Sequence, residues 1–375
     1  MGFLKKAFSG LQNAVLGVYD LNRRMLISVA EDMNVTKKKS LIGKVSLTKV
    51  QKKQIDEFFL RHYGKKIPYH WHRLYASYTG TVRHDYFPEK LFSTKLEPAL
   101  NPRYIIAEQF GDKNLLVPFF ARVSDVKIPT TYFSCVNGVF RDGENSLVSL
   151  DEVIEGCANL YTVIKKTIGS SSGKDVQLCH FHDGVDEKTG ASAAEIVRAF
   201  GDNFVVQEPI KQHATLANLY PNSLNTFRVM TYICDGKISH CPIALRLGRN
   251  SADRDNIHYG GIVVGVDGNG CLREKAFSEY GESFEKHPDT GIVFSQVILE
   301  FYENLKEQTR RLHEQMPWLK IASWDVSVGE DGCVVLIEVN TIGQSSWFPQ
   351  MVNGEPLFGE DTPKMLALIG KKKKR

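Results

Sequence analysis

The sequence predicts an α+β protein with an N-terminal helical accessory region, on three observations. Helical spacing with lysine-rich links fills the first 60 residues. From Asp112 onward, short helical segments alternate with strand-like ones. Between Asn225 and Asn340 the strands come as mostly antiparallel pairs joined by polar, glycine-containing turns such as CDGK, DGNG and GEDG.

Taken in order, MGFLKKAFSGLQNAVLGVYDL reads as an amphipathic helix, because Gln12, Asn13 and Asp20 interrupt its apolar run and no small-residue cleavage site follows. SLTKVQKKQIDEFFLRHYG has the capping residue, the helical period and the final glycine of a surface helix. Residues 61–110 turn aromatic and histidine-rich (YHWHRLYASYTGTVRHDYFPEKLF). His70, His72, His84 and Tyr86 are the candidates there for an acceptor site, with a plain aromatic core as the competing reading. DKNLLVPFFARV is helical, TYFSCV a strand and LDEVIEGCANL a helix opened by an acidic cap. LYTVIKK, DVQLCHF and FVVQEPI are strands, SAAEIVRAF is a helix, and a long helix runs from about Ser295 to Gln315. The expected segments are 1–60 (helical accessory), 61–135 (front, acceptor-side region), 136–210 and 211–370 (two lobes), and 371–375 (basic tail).

Composition narrows the function classes. The 375 residues are 42% hydrophobic and 24% charged, which is ordinary for a soluble globular protein, and a net charge of +4 makes no case for nucleic acid as a partner. Seven cysteines stand singly without a CxxC pair, so neither a zinc site nor a disulfide framework is indicated, and reduced thiols in the cytoplasm are expected. No apolar run approaches the roughly 20 residues of a membrane span. The closing KKKKR, Lys371 to Arg375, is a candidate contact for the inner face of an anionic membrane. Oligomeric state is not readable.

The chemistry concentrates in IASWDVSVGEDGCVVLIEVN, Ile321 to Asn340, a hairpin by pattern. Its second strand is almost wholly apolar, yet it carries Glu338 and Asn340 two residues apart and therefore on one face. With Asp325 on the partner strand they form a set of hard oxygen ligands of the kind that suits Mg²⁺ shared with phosphates. The competing reading is a strand end satisfied by backbone groups. Upstream, VIKKTIGSSSGKDV sets Lys165 at a strand end before a Gly/Ser loop, Gly169, Ser170, Ser171, Ser172 and Gly173. Its N–H groups and hydroxyls could cover a polyphosphate. The spacing is not that of a Walker loop, and a strand follows where a helix should. VVQEPI offers an acidic residue and open backbone at a strand end, where an adenine amino group could bond. Asn225 and Arg228 in NTFRV, Arg246 in LRLGR and Asn256 in DNIHYGG add amides and cations, and arginines on mid-chain strands are costly to bury unless they meet an anion.

The order of these stretches resembles the ATP-grasp superfamily: a lysine strand, a Ser/Gly loop, a QEPI hinge, NTxR, RLGR, NxxxGG, then Asp and ExN. Within it the chain is most similar to the sugar-transfer-associated group linked to capsule and lipopolysaccharide synthesis. The similarity runs from about Pro68 to Gly343 and includes WHRLYAS, EPALNP and GDKNLLVPFFARVSDVKIPTTYF. It implies two α+β lobes gripping ATP. Lys165 and Lys113 would contact the phosphates and Gly169 to Gly173 would form the mobile loop. Gln207, Glu208 and Ile210 would form the adenine hinge, with Asn225 also on the nucleotide side. Arg228 and Arg246 would be catalytic, binding phosphate and stabilising an acyl-phosphate, while Asp325, Glu338 and Asn340 would hold one or two Mg²⁺, with Mn²⁺ as a substitute. Two departures stand out: Gly173-Lys174-Asp175 replaces the usual GKG, and Lys166 stands where proline usually follows the lysine. The implied reaction is ATP-dependent joining of a carboxylate to an amine, on a sugar acid or glycan precursor. A sugar or alcohol kinase and a nucleotide-binding scaffold are the alternatives.

Overall fold

The computed structural model describes residues 21–102, 111–123, 125–168 and 175–370. The chain forms two compact units: Met1–Arg103 together with Gly343–Arg375, and Tyr104–Ile342.

The first unit is helical. The helix Lys49–His62 starts at Thr48, whose hydroxyl accepts from the Gln51 N–H while the Gln51 side chain reaches back to the Thr48 N–H. The helix His70–Thr79 buries Trp71, His72, Leu74, Tyr75, Ala76 and Tyr78 and stops at Gly80, which takes the left-handed conformation there. Tyr86, Phe87 and Phe92 complete an aromatic core. The acceptor-site expectation for this segment is therefore corrected at His72 and Tyr86. Both are fully buried among aromatic rings, and burial pulls the His72 imidazole down to about 4, so it is a neutral core group.

The helices Trp347–Asn353 and Thr362–Ile369 belong to this same unit, so the expected 211–370 segment ends near residue 342. The reason is packing: Trp347, Phe348, Met351, Val352, Leu357, Phe358, Met365 and Leu366 are all buried, and Phe358 meets Phe87 edge-to-face and packs against Phe92. No described helix is long and apolar enough to cross a membrane.

The second unit carries two sheets. Among the described residues, the larger has nine strands, and its central run joins Val334–Asn340, Ile321–Val328, Thr226–Cys234, Ile243–Leu247 and Ile262–Val266 in that spatial order, all antiparallel. One face of this sheet meets the helix Tyr302–Glu314 over a core of Phe227, Val229, Leu245, Val264, Leu312 and Trp324. That helix begins seven residues later than its sequence pattern suggests. Residues Phe294–Gln296 form a 3-10 turn instead, and Ile298 bridges to Cys271.

The smaller sheet has seven strands, with Thr131–Val136, Phe204–Gln207, Tyr161–Lys166 and Val176–His182 adjacent at its centre. The helices Leu150–Cys157 and Ala193–Phe200 cover one face, each opened by a Ser/Glu capping box at Ser149 and Ser192. Residues Lys113–Leu115 and Leu116–Phe120 form a 3-10 turn running into a helix, as the pattern of that stretch predicts.

Candidate functional site

Strand alternation sorts the larger sheet into a core face and a polar face. Phe227, Val229, Leu245, Trp324 and Val326 point into the core, so Thr226, Arg228, Arg246, Ser323 and Asp325 point the other way. Pairing then lines them up: Asp325 sits opposite Arg228 on one side and Glu338 on the other, and Arg246 sits opposite Thr226.

The Glu338 strand would break this pattern if it were regular. Val334, Leu336 and Val339 all reach the core, a phase change that simple alternation forbids. A bulge supplies it. Asp325 pairs with Glu338 and Val326 with Leu336, leaving Ile337 as the extra residue. The bulge lets the apolar half of the strand stay buried while Glu338 and Asn340 share the face of Asp325.

Two arginines bracket Asp325. Arg228 Nε lies 2.9 Å from Asp325 Oδ1, and Arg246 Nη2 lies 3.3 Å from Oδ2. The closer contact is an ion pair without hydrogen-bond alignment, so both Arg228 Nε and Asp325 Oδ1 are buried polar atoms with no hydrogen-bond partner. Arg246 also reaches Asp255 (3.6 Å) and donates to Thr226 Oγ1 at 2.8 Å, while Thr226 itself bonds Asp255. Burial pulls the Arg228 guanidinium below its usual range against the opposing pull of Asp325. Burial acts on Arg246 too, but Asp325, Asp255 and Glu338 outweigh it and the net direction is upward. Asp255 is raised by burial, with Arg246 opposing.

Two lysines stand beside the carboxylates. Lys113 Nζ is 3.3 Å from Glu338 Oε2. Lys165, next to last in the strand Tyr161–Lys166, is buried, with no carboxylate within ion-pairing distance among the described residues. Burial lowers its ammonium to about 8, Lys113 pushes the same way, and Glu338 opposes. Four cations thus face three carboxylates, and the uncompensated one is buried, which suits an anionic ligand.

The donor set also fits a hard cation. Asp325 Oδ1 accepts no hydrogen bond, Asn340 brings an amide oxygen to the same strand face, and 31% of the Glu338 side chain is exposed. Among the described residues no group of three or more His, Cys, Asp or Glu is arranged around a metal position. The set here is two carboxylates and an amide, which leaves positions for waters and phosphate oxygens.

Other predicted residues are placed as follows. Gln207 is buried and its Nε2 donates to Thr131 Oγ1 at 2.9 Å, leaving Oε1 without a partner. Glu208 accepts from the Thr130 N–H at 2.9 Å, and Ile210 is half-buried at the same strand exit. Asn225 is fully buried: its amide nitrogen donates to Leu216 O, Tyr220 O and Gln212 Oε1 and ties down the helix Ala214–Leu219, while its Oδ1 has no partner. Asn256 caps the 3-10 turn Ile257–Tyr259 through a bond to the His258 N–H. The loop Gly169 to Gly173, with Ser170, Ser171 and Ser172, lies outside the described residues, as does the basic tail.

Sequence reasoning missed Asp255 and Thr226. The signal was present: a buried Arg246 demands a counter-charge, and Asp255 is the first residue of the DNIHYGG stretch. The paired glycines explain how that stretch packs. A Cβ on Gly261 would stand 2.5 Å from Asp255 O, and Gly260 takes a φ of +93°.

A description of the family "Sugar-transfer associated ATP-grasp" matches residues 91–364. Among the curated proteins, none matches this chain. Solved structures similar to it include an L-amino acid ligase from Bacillus licheniformis, at 12% identity over 69% of this chain and 48% of that one, TM-score 0.40. A second is the N5-carboxyaminoimidazole synthetase from Staphylococcus aureus complexed with ADP, at 11% over 70% and 53%, TM-score 0.40. A third is the biotin carboxylase domain of the Hydrogenobacter thermophilus 2-oxoglutarate carboxylase in complex with MgADP, at 12% over 74% and 49%, TM-score 0.41. The chain spans about half the length of each of these structures. With some three-quarters of its sequence matched by the family, and with two sheets in an α+β arrangement, this chain belongs to the sugar-transfer-associated ATP-grasp family and has the ATP-grasp fold.

Proposed function

We propose that the protein is an ATP- and Mg²⁺-dependent carboxylate-amine ligase that works through an acyl-phosphate. The observation that carries this reading is the buried Lys165, which has no ion-pair partner among the described residues and feels Lys113 and Glu338, on a sheet face where Glu338 lies opposite Asp325 and Asp325 pairs with Arg228 and Arg246. A buried cation is expensive unless an anion meets it, and a nucleotide polyphosphate is an anion of the right size and charge.

In the proposed reaction the substrate carboxylate oxygen attacks the γ-phosphorus, the bond to the β-phosphate oxygen breaks, and ADP leaves. The amine nitrogen then attacks the acyl carbon, loses a proton, and inorganic phosphate departs. Lys165 and Lys113 hold the phosphates, and Gln207, Glu208 and Ile210 border the base. Arg228 and Arg246 offset charge on the transferring phosphoryl group and on the acyl-phosphate oxygens. Asp325, Glu338 and Asn340 would hold Mg²⁺, which when bound neutralises phosphate charge. Asp255 and Thr226 fix the Arg246 guanidinium from behind.

The substrate class we infer is a sugar acid or an amine-accepting glycan precursor, a reading supported by the family's description alone. The test is an ADP-release screen of the purified protein over uronic acids and amines with Mg²⁺. The expected products are ADP and inorganic phosphate, with a hydroxamate formed when hydroxylamine replaces the amine. Release of AMP and pyrophosphate would refute the acyl-phosphate route.

A further inference from the structure

We propose that the helix formed by residues 21–37 lies on an anionic lipid surface, inserting an apolar stripe among the headgroups. Leu21, Met25, Leu26, Val29 and Met33 are each between 56% and 73% exposed. At about 100° per residue, Met25 and Met33 flank Val29 by about 40° on either side, with Leu26 and Leu21 at its margins. The five side chains therefore share one solvent-facing side, while Ile27, Glu31 and Val35 form the half-buried opposite side. Scattered exposed leucines are ordinary on protein surfaces, but an aligned apolar row on one helix marks an interaction face.

The charge around the stripe selects the occupant. Between residues 21 and 53 the chain has nine Lys and Arg against two acidic residues, Glu31 and Asp32. Arg24, Lys37, Lys39, Lys44, Lys49 and Lys52 are exposed, and Asp32, about 60° from Val29 and so on the stripe's side of the helix, is paired with Lys90 at 2.6 Å. An apolar stripe with basic flanks matches a bilayer that offers hydrocarbon at depth and anionic headgroups above it. A second copy of the same surface would bring like charges together. The helix lies along the surface and does not cross it, since its 17 described residues span only about 26 Å and carry charge throughout. The helix shares no residue with the basic tail or with the nucleotide residues, so the proposal stands or falls independently of the ligase reading.

The test is co-sedimentation of the full chain with vesicles of phosphatidylcholine alone or with about one-third phosphatidylserine. The wild type is expected to pellet with the anionic vesicles and to be released by raising the salt. The variant M25E/V29E/M33E changes only exposed positions and keeps the tail; its binding is expected to fall roughly tenfold or more. The variant K37E/K39E/K44E is expected to lose binding by a similar factor along with most of the salt dependence. Wild type that stays in the supernatant, or a methionine/valine variant that pellets as well as wild type, overturns the proposal. A wild-type dimer in light scattering that M25E/V29E/M33E splits, without vesicle binding, assigns the stripe to self-association instead.

Discussion

Lys165 and the two arginines are cations that burial treats alike and neighbours treat differently. Arg246 is held charged by Asp325, Asp255 and Glu338, and its Thr226 bond fixes the plane of its guanidinium. Lys165 has only the more distant Glu338 to offset burial and Lys113, and its ammonium falls to about 8. A polyphosphate placed against Lys165 would restore its charge, so its pKa would be higher in the complex than in the free protein. Binding then takes up a proton at pH values above about 8, and affinity falls as pH rises further, by up to about tenfold per unit. Calorimetry of Mg·ATP binding near pH 8.5 in buffers of different ionisation heat is expected to show this uptake. Lys165→Arg, charged at every accessible pH, should abolish the uptake while retaining binding, and Lys165→Met should abolish binding. Equal heats in all buffers would remove Lys165 from the phosphates.

At the scale of elements, legibility follows how local the cause is. The hairpin Ile321 to Asn340 is readable because turn chemistry and alternation are local, and so is the shared face of Glu338 and Asn340. The bulge at Ile337 is not, because it arises from a register that only the partner strand defines. Asn225 shows the same limit from the other direction. An amide beside a strand arginine looks like a ligand contact, yet its two N–H bonds are spent on the carbonyls that end the helix Ala214–Leu219 and on Gln212. The aromatic run is legible as a core, which His72, Tyr75 and Tyr86 form together, but the Phe358 contact to Phe87 and Phe92 is not, because it comes from far along the chain. If Asn225 is an anchor, Asn225→Leu removes one of two donors from each of Leu216 O and Tyr220 O and one from Gln212 Oε1, in a buried place. A cost of about 2–4 kcal/mol in urea unfolding is expected, with the nucleotide dissociation constant changed less than about twofold in the folded variant. A large loss of nucleotide affinity with little loss of stability would return Asn225 to the ligand.

On the scale of the whole molecule, the helical unit joins residues 89–97 to residues 343–346, and two buried carboxylates make the join. Glu97 accepts the Gly343 and Gln344 N–H groups at 3.1 and 2.8 Å, and Glu89 accepts from the Ser346 N–H at 2.9 Å and from its hydroxyl. These bonds favour the charged carboxylates, but burial outweighs them and raises Glu97 to about 7 and Glu89 well above its usual range. For Glu97 the folded protein holds a proton that the unfolded chain releases near 4.5. Between those values the folded state binds more protons, so stability falls as pH rises from 4.5 towards 7 and the full penalty persists above it. A difference of this size corresponds to roughly 3 kcal/mol at most. Glu97→Gln keeps an acceptor for one backbone N–H and removes the charge. Its stability relative to wild type should therefore improve by about 1–3 kcal/mol between pH 5 and pH 8 in urea unfolding. Glu89 and Glu31 keep a residual slope in the variant, because burial raises both. Parallel pH profiles for the two proteins would mean that Glu97 is already charged in the folded state and that its backbone bonds, not burial, set its protonation.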